Sequence, residues 1–168
     1  MTIIIREENS LDQAEITRVT EAAFEDVAHS DKTEALIVGA LRKAGMLTVS
    51  LVAEENGGIV GHIAVSPVAI ADGAQGWYGL GPISVKPEKQ GRGIGSELMK
   101  AALTKLEEMG AFGCVVVGDP DFYHRFGFAA NTRLVFPGVP AEYFMSLSFK
   151  ADSPQGEVTY HESFYVKP

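Results

Sequence analysis

Apolar residues change their spacing several times along this chain, and each change marks an element. TIIIR near the N-terminus is a β-branched run, which predicts a first strand over Ile3 to Arg6. Ser10 then stands three residues before Gln13, a capping-box pattern that starts a helix. Ile16, Val19, Ala22 and Ala23 fall on its inner face, and it ends near Val27. Asp31 and Glu34 repeat the device, and Leu36, Ile37, Ala40, Leu41 and Ala44 recur at helical spacing until Gly45 supplies a stop.

Two β-rich runs follow, joined by Asn56-Gly57-Gly58, residues that tolerate the positive φ of a tight hairpin. Strands two and three are therefore expected as antiparallel neighbours. The next run, Trp77 to Lys86, is a strand interrupted by Gly79, Gly81 and Pro82, which marks a bulge or a place where a backbone or ligand comes close. After a glycine turn, Ile94, Leu98, Met99, Ala102, Leu106 and Met109 trace one face of a helix that Gly110 ends. FGCVVVG reads as a buried strand, and strand, helix, strand in that order implies parallel pairing of strands four and five. Asp119 as N-cap, Pro120 at the first position and Gly127 as the stop define a short helix. TRLVF, EYFMSLSF and GEVTYHESFYV alternate like strands that close the sheet.

Composition narrows the class. With 168 residues and 46% hydrophobic content the chain suits a single domain, 1–168. It contains no apolar run of membrane-spanning length, and Met1 to Asn9 lacks the pattern of a secretory leader. Cys114, the one cysteine, sits in an apolar strand and reads as a buried thiol, so a cytoplasmic location is expected. Four scattered histidines and one cysteine give no metal-ligand spacing. A net charge of −8 argues against a nucleic-acid partner. Yet Lys86, Lys89, Arg92 and Lys100 are four of only fourteen basic residues, opposed between them by Glu88 and Glu97 alone. An anion belongs there.

The glycine turn explains why. A helix start carries unpaired N–H groups and roughly half a positive elementary charge, and Gly91, Gly93 and Gly95 clear the approach to it. The Walker pattern fails, because Ser96 follows Gly95 with no lysine between; the dinucleotide pattern fails because Ser96 stands where its third glycine belongs. Gln90-x-x-Gly93-x-Gly95, between a strand and a long helix, instead resembles the acyl-CoA pyrophosphate loop of the GNAT superfamily of N-acetyltransferases. Phe122-Tyr123-His124-Arg125-Phe126-Gly127-Phe128 is similar to the superfamily's FYxxxGF segment, and Gly118-Asp119-Pro120 resembles one bacterial branch of it. The resemblance extends from about Ile3 to Phe136.

That resemblance implies an α/β (α+β) fold: a mixed, mostly antiparallel central sheet of about six or seven strands, helices on both faces, and parallel strands 4 and 5 that splay apart. It implies acetyl-CoA as donor, CoA as product, no metal, and an acceptor amine of unknown identity attacking directly in a ternary complex. By resemblance, Ile83, Ser84 and Val85 would bond the pantetheine arm, and Gln90, Gly91, Arg92, Gly93, Ile94, Gly95 and Ser96 would hold the diphosphate. Asp119, which also caps its helix, and Phe126 complete the cofactor set. Tyr123 stands where the family places the acid that protonates the departing thiolate. No carboxylate occurs between Trp77 and Lys86, unlike in family members with a fourth-strand glutamate, which leaves Glu54 or Glu55 acting through water as candidate bases. Two alternatives stay open: a CoA-binding sensor without turnover, and a transferase using another acyl-CoA. His62 and His124 read as structural and surface residues, and a homodimer completed through the sheet is possible.

Overall fold

The computed structural model describes residues 2–151 and 154–168. Among them, strand β1 (Ile3–Glu7) is followed by helices α1 (Gln13–Phe24) and α2 (Glu34–Lys43), then by strands β2 (Val49–Glu55), β3 (Gly58–Ile70) and β4 (Trp77–Val85), helix α3 (Ile94–Glu108) and strand β5 (Gly113–Val117). Helix α4 (Pro120–Tyr123) and strands β6 (Ala129–Ala130), β7 (Leu134–Val135), β8 (Phe144–Ser148) and β9 (Gly156–Tyr160) complete the order. Seven strands lie side by side as β1-β2-β3-β4-β5-β8-β6; β9 pairs with the far end of β3, and β7 with β9. Within the seven, β4 and β5 are parallel and every other neighbouring pair is antiparallel.

Side-chain alternation divides the core between the two faces. Ile63 and Val65 of β3 pack with Leu98, Met99, Ala102 and Leu106 of α3, whereas Ala64 and Val52 pack with Ile16 and Val19 of α1 and Val38 of α2. In β5, Cys114 and Val116 join the α3 cluster, and Val115 joins a third cluster with Trp77, Phe144 and Tyr160. A strand buried on both faces reads as a continuous apolar run, which is why FGCVVVG carries no alternation.

Several boundaries depart from the pattern. Helix α1 is not held by a Ser10–Gln13 box. Asp12 stands at its N-cap without capping it, because its carboxylate takes both Arg6 nitrogens, at 2.8 and 3.1 Å, and the Asn9 N–H at 2.7 Å. The tie between β1 and the helix displaces the local cap, and α1 ends at Phe24 rather than near Val27. Likewise Asp31 does not cap α2: Ser30 Oγ donates to Glu34 at 2.6 Å, accepts from the Lys32 N–H, and leaves Thr33 at the N-cap. Leu36 and Met109 lie at 43% and 50% exposure, outside the packed stripes, and Val38 occupies the inner position on α2. The GEVTYHESFYV run is half strand, then a 3-10 turn over Glu162–Tyr165.

One polar chain crosses the apolar sheet. Arg42 donates to both oxygens of Glu8 at 3.0 and 2.9 Å, Ser50 Oγ donates to Glu8, and His62 Nε2 lies 2.8 Å from Ser50 Oγ. His62 is fully buried, and burial pushes its pKa down to about 4, Glu8 opposing the shift only in part. The folded protein therefore binds fewer protons than the unfolded chain between about pH 6.5 and pH 4, so stability falls as pH falls through that window. We expect a loss on the order of 3 kcal/mol across it, read from urea midpoints at a series of pH values. His62→Gln should flatten that slope above pH 5; an unchanged slope would place the titration elsewhere.

Candidate functional site

Strand β4 leaves both of its neighbours' registers at one place. Against β3, Leu80 lies opposite Val65 and Ile83 opposite Ile63, so three steps along β4 match two along β3. The extra residue falls at Gly81-Pro82, where Gly81 has φ of +130°, a bulge that only glycine enters without strain. Against β5, pairing covers Trp77↔Gly113, Tyr78↔Cys114 and Gly79↔Val115 and extends no further. From Leu80 onward, β4 runs free of β5. That parting opens a cleft.

The cleft has a volume of about 580 Å³. Ile83 and Val85 form one wall, the loop after β4 and the start of α3 form the base, and Phe122 and Arg125 close the far side. Gly91 and Gly93 have φ of +79° and +82°, and a Cβ on either would point into open space. Gly95 is different. Its φ is not left-handed and a Cβ there would meet nothing nearer than 3.8 Å, so neither backbone strain nor packing demands glycine at that position. Its bareness leaves the helix start accessible. No side chain caps that end of α3, and its first N–H groups, unpaired within the helix, lie where Gly93, Ile94, Gly95 and Ser96 line the cleft.

Eight of the residues expected at the cofactor lie on this cleft: Ile83, Val85, Gln90, Gly91, Gly93, Ile94, Gly95 and Ser96. Gln90 also braces the loop, its Nε2 donating to the Val85 carbonyl at 3.1 Å. The other four lie off its wall. Ser84 alternates away from Ile83 and Val85, and its buried Oγ has no protein partner, so only its main chain belongs to the cleft strand. Arg92 donates to Glu55 at 2.9 Å, Asp119 accepts from the Asp121 N–H at the start of α4, and Phe126 packs edge-on against Phe122.

Glu55 has a definite place as well. Its side chain is 2% exposed and lies between Lys89 Nζ and Arg92, each at 2.9 Å. Hydrogen bonds from Lys89 and then Arg92 hold its carboxyl below the usual range. Glu54 is bonded to Arg6 at 3.0 Å. Both carboxylates considered as bases are therefore committed to ion pairs, and Glu55 secures the two cations of the anion loop.

Tyr123 is 8% exposed, its ring edge-on to Phe122 at 5.0 Å and to Phe128 at 5.9 Å. A Cβ on Gly118 would sit 2.6 Å from that ring, so glycine at the end of β5 is what lets the tyrosine lie against the strand. Burial, and secondarily the charge of Asp119, push its hydroxyl up to about 12. Cys114 is fully buried, and burial pushes its thiol well above the ordinary range. Of the five other cleft residues, Lys89 belongs to the basic cluster expected to meet an anion, whereas Ala23, Phe24, Phe122 and Arg125 escaped the sequence reading as ligand contacts. The last two stand three apart in the aromatic motif, with the Arg125 guanidinium 4.7 Å from the Phe122 ring centre. That spacing was the available signal. Among the described residues there is no acidic, histidine or cysteine group suited to a metal ion, and no helix long and apolar enough to cross a membrane.

Comparison with known proteins agrees with this geometry. A family model described as an acetyltransferase (GNAT) domain matches residues 47–130. An uncharacterised N-acetyltransferase of Escherichia coli, YhbS, is 33% identical over 96% of this chain and 98% of its own length. A crystal structure of a Brucella melitensis GNAT acetyltransferase in complex with acetyl-CoA superposes with a TM-score of 0.87 at 51% identity, covering 97% of this chain and 98% of that one. The crystal structure of Escherichia coli YhbS in complex with CoA gives 0.88 at 32% identity, over 98% and 92%. With its parted parallel strands and its full-length relatives, the chain belongs to the GNAT family of N-acetyltransferases.

Proposed function

We propose that the cleft between β4 and β5 binds acetyl-CoA and that a primary amine attacks it directly, within a ternary complex. The observation that carries this reading is the coincidence of two features on one cavity: an uncapped, glycine-cleared helix start and a strand edge released from its neighbour. The first suits a diphosphate. The second suits the amide-bearing pantetheine arm, which can bond the free edge of β4 as an added strand would. The Brucella and Escherichia coli structures, in complex with acetyl-CoA and CoA respectively, support the choice of ligand.

In this reading the thioester lies at the Gly81-Pro82 bulge. Pro82 has no N–H, and the Gly81 N–H falls outside the regular register, which suits it to stabilise charge on the carbonyl oxygen. The amine attacks in its neutral form, an ammonium first giving its extra proton to water: nitrogen bonds to the carbonyl carbon, the C–S bond breaks, nitrogen loses one proton and sulfur gains one. Tyr123 supplies the proton to sulfur and is returned to its hydroxyl form by the proton released from nitrogen, relayed through water. Because its pKa is pushed up to about 12, Tyr123 stays protonated throughout the neutral and mildly alkaline range. A covalent route through Cys114 is disfavoured by the thiol's burial.

Tyr123→Phe should lower kcat by about 100-fold or more while the affinity for acetyl-CoA changes little; measured with chemistry limiting, an unchanged kcat would remove Tyr123 from the reaction. Gly95→Glu tests the cradle without straining the backbone, since a Cβ fits there. Its carboxylate should weaken CoA binding on the order of 100-fold by calorimetry, with the thermal midpoint nearly unmoved. Equal affinity would place the diphosphate elsewhere.

A further inference from the structure

A second cavity, of about 310 Å³, adjoins the first across the bulge. Leu80, Gly81 and Pro82 line this one and Ile83 and Val85 the other, and Phe24 of α1 belongs to both. An acyl group delivered to the bulge from the cofactor cleft therefore lies at the mouth of this pocket. Its remaining wall is aromatic: Phe136, Tyr160, Phe164 and Tyr165 come from the segments that follow α4. Phe136 lies tilted against Tyr160 at 5.1 Å and Phe164 edge-on to it at 4.9 Å, so the wall is pre-packed rather than assembled on binding.

The charge inside it is one-sided. Among the described residues, Glu34, the first of α2, is the single carboxylate on the wall, and no lysine, arginine or histidine lines it. Ser30 Oγ donates to Glu34 at 2.6 Å and fixes one of its oxygens. Such a chamber favours an amine or ammonium group, which a carboxylate and ring faces both attract, and disfavours a ligand that carries its own carboxylate. The volume lies at the small end of the roughly 300–1,000 Å³ typical of small-molecule sites. One carboxylate leaves the further charges of a polyamine without a counter-ion.

Resting on the acetyl-CoA reading above, we propose that the acceptor is a small primary amine on an uncharged, aromatic or similarly apolar body, held in this pocket with Glu34 as the group that positions its nitrogen. The same walls disfavour free amino acids for their carboxylate, polyamines for their further charges, and lysine side chains for the lack of an aromatic body to meet the rings.

The test supplies purified protein and acetyl-CoA with 2-phenylethylamine, L-phenylalanine, spermidine or a lysine-containing peptide, and follows release of free CoA. Acetyl-CoA affinity is measured separately by calorimetry. The proposal expects kcat/KM for 2-phenylethylamine at least 100-fold above the other three. Glu34→Gln should raise the KM for 2-phenylethylamine at least tenfold while the KM for acetyl-CoA stays put. Val117→Lys, on a pocket residue 40% exposed and so tolerant of substitution, should do the same by adding a cation to the wall. Turnover of spermidine or the peptide in preference to 2-phenylethylamine would overturn the proposal and leave the cofactor reading standing, as would tight acetyl-CoA binding with no turnover of 2-phenylethylamine. Failure to bind acetyl-CoA would instead overturn the reading on which it rests.

Discussion

The structure depends on where β4 lets go of β5. Parallel strands continue to pair unless something stops them, because an unpaired main-chain group shielded from water is costly. Here the stop is the extra residue at Gly81-Pro82, two residues beyond the last β4–β5 pair at Gly79 and Val115. The bulge turns the strand's remaining length away from β5 while β3 still holds its other edge. A strand edge left open is a liability unless something covers it, and in this fold the natural cover is a ligand with peptide-like amides. The same displacement makes room for both cavities, one on each side of the bulge.

What keeps the parting from spreading backward is aromatic packing over bare backbone. A Cβ on Gly113 would lie 2.4 Å from the Trp77 ring, and one on Gly79 would lie 2.5 Å from the ring of Tyr160. Both glycines therefore mark places where a ring lies directly on the strand. Trp77 and Gly113 are also register partners, so the indole clamps the first pair of the β4–β5 ladder. Gly118 does the same for Tyr123 at the opposite end of β5. The strands are thus closed at one end and open at the other by the placement of small residues under large ones, and the aromatic wall of the second cavity grows from the same cluster through Tyr160.

Features encoded locally were legible in the sequence. The hairpin at Asn56 and Gly57, both at positive φ, the amphipathic stripe of α3 and the cap and stop of α4 each rest on residues a few positions apart. The irregular fourth strand was visible as glycine and proline in a β-branched run, and six of the eight cleft residues followed from one motif, Ile83 and Val85 from the family resemblance of that strand. Long-range choices were not legible. Asp12 and Ser30 have the chemistry of caps, but tertiary contacts claim Asp12 for Arg6 and a loop bond claims Ser30 for Glu34. Strands β6 and β7 are two residues each, too short to show a period. The second cavity joins α1, α2, β4, β5 and the C-terminal segments, and no spacing rule connects Glu34 to Tyr165.

Glu55 shows why the distinction matters for function. Read locally it is an acid at a strand end near a basic loop, and a role as proton acceptor follows naturally. In the fold it is buried between Lys89 and Arg92, which anchors β2 to the loop that precedes α3. A carboxylate there partly cancels the loop's positive field, which would weaken an anion site made of side-chain charge alone. It does not weaken one made of main-chain donors, whose direction is set by the helix. Holding Lys89 and Arg92 in place fixes the backbone between them, Gln90 and Gly91 included, so the carboxylate exchanges some attraction for geometry. That exchange suits the proposed function, in which a long, flexible donor is held with its reactive end at one bulge in one strand.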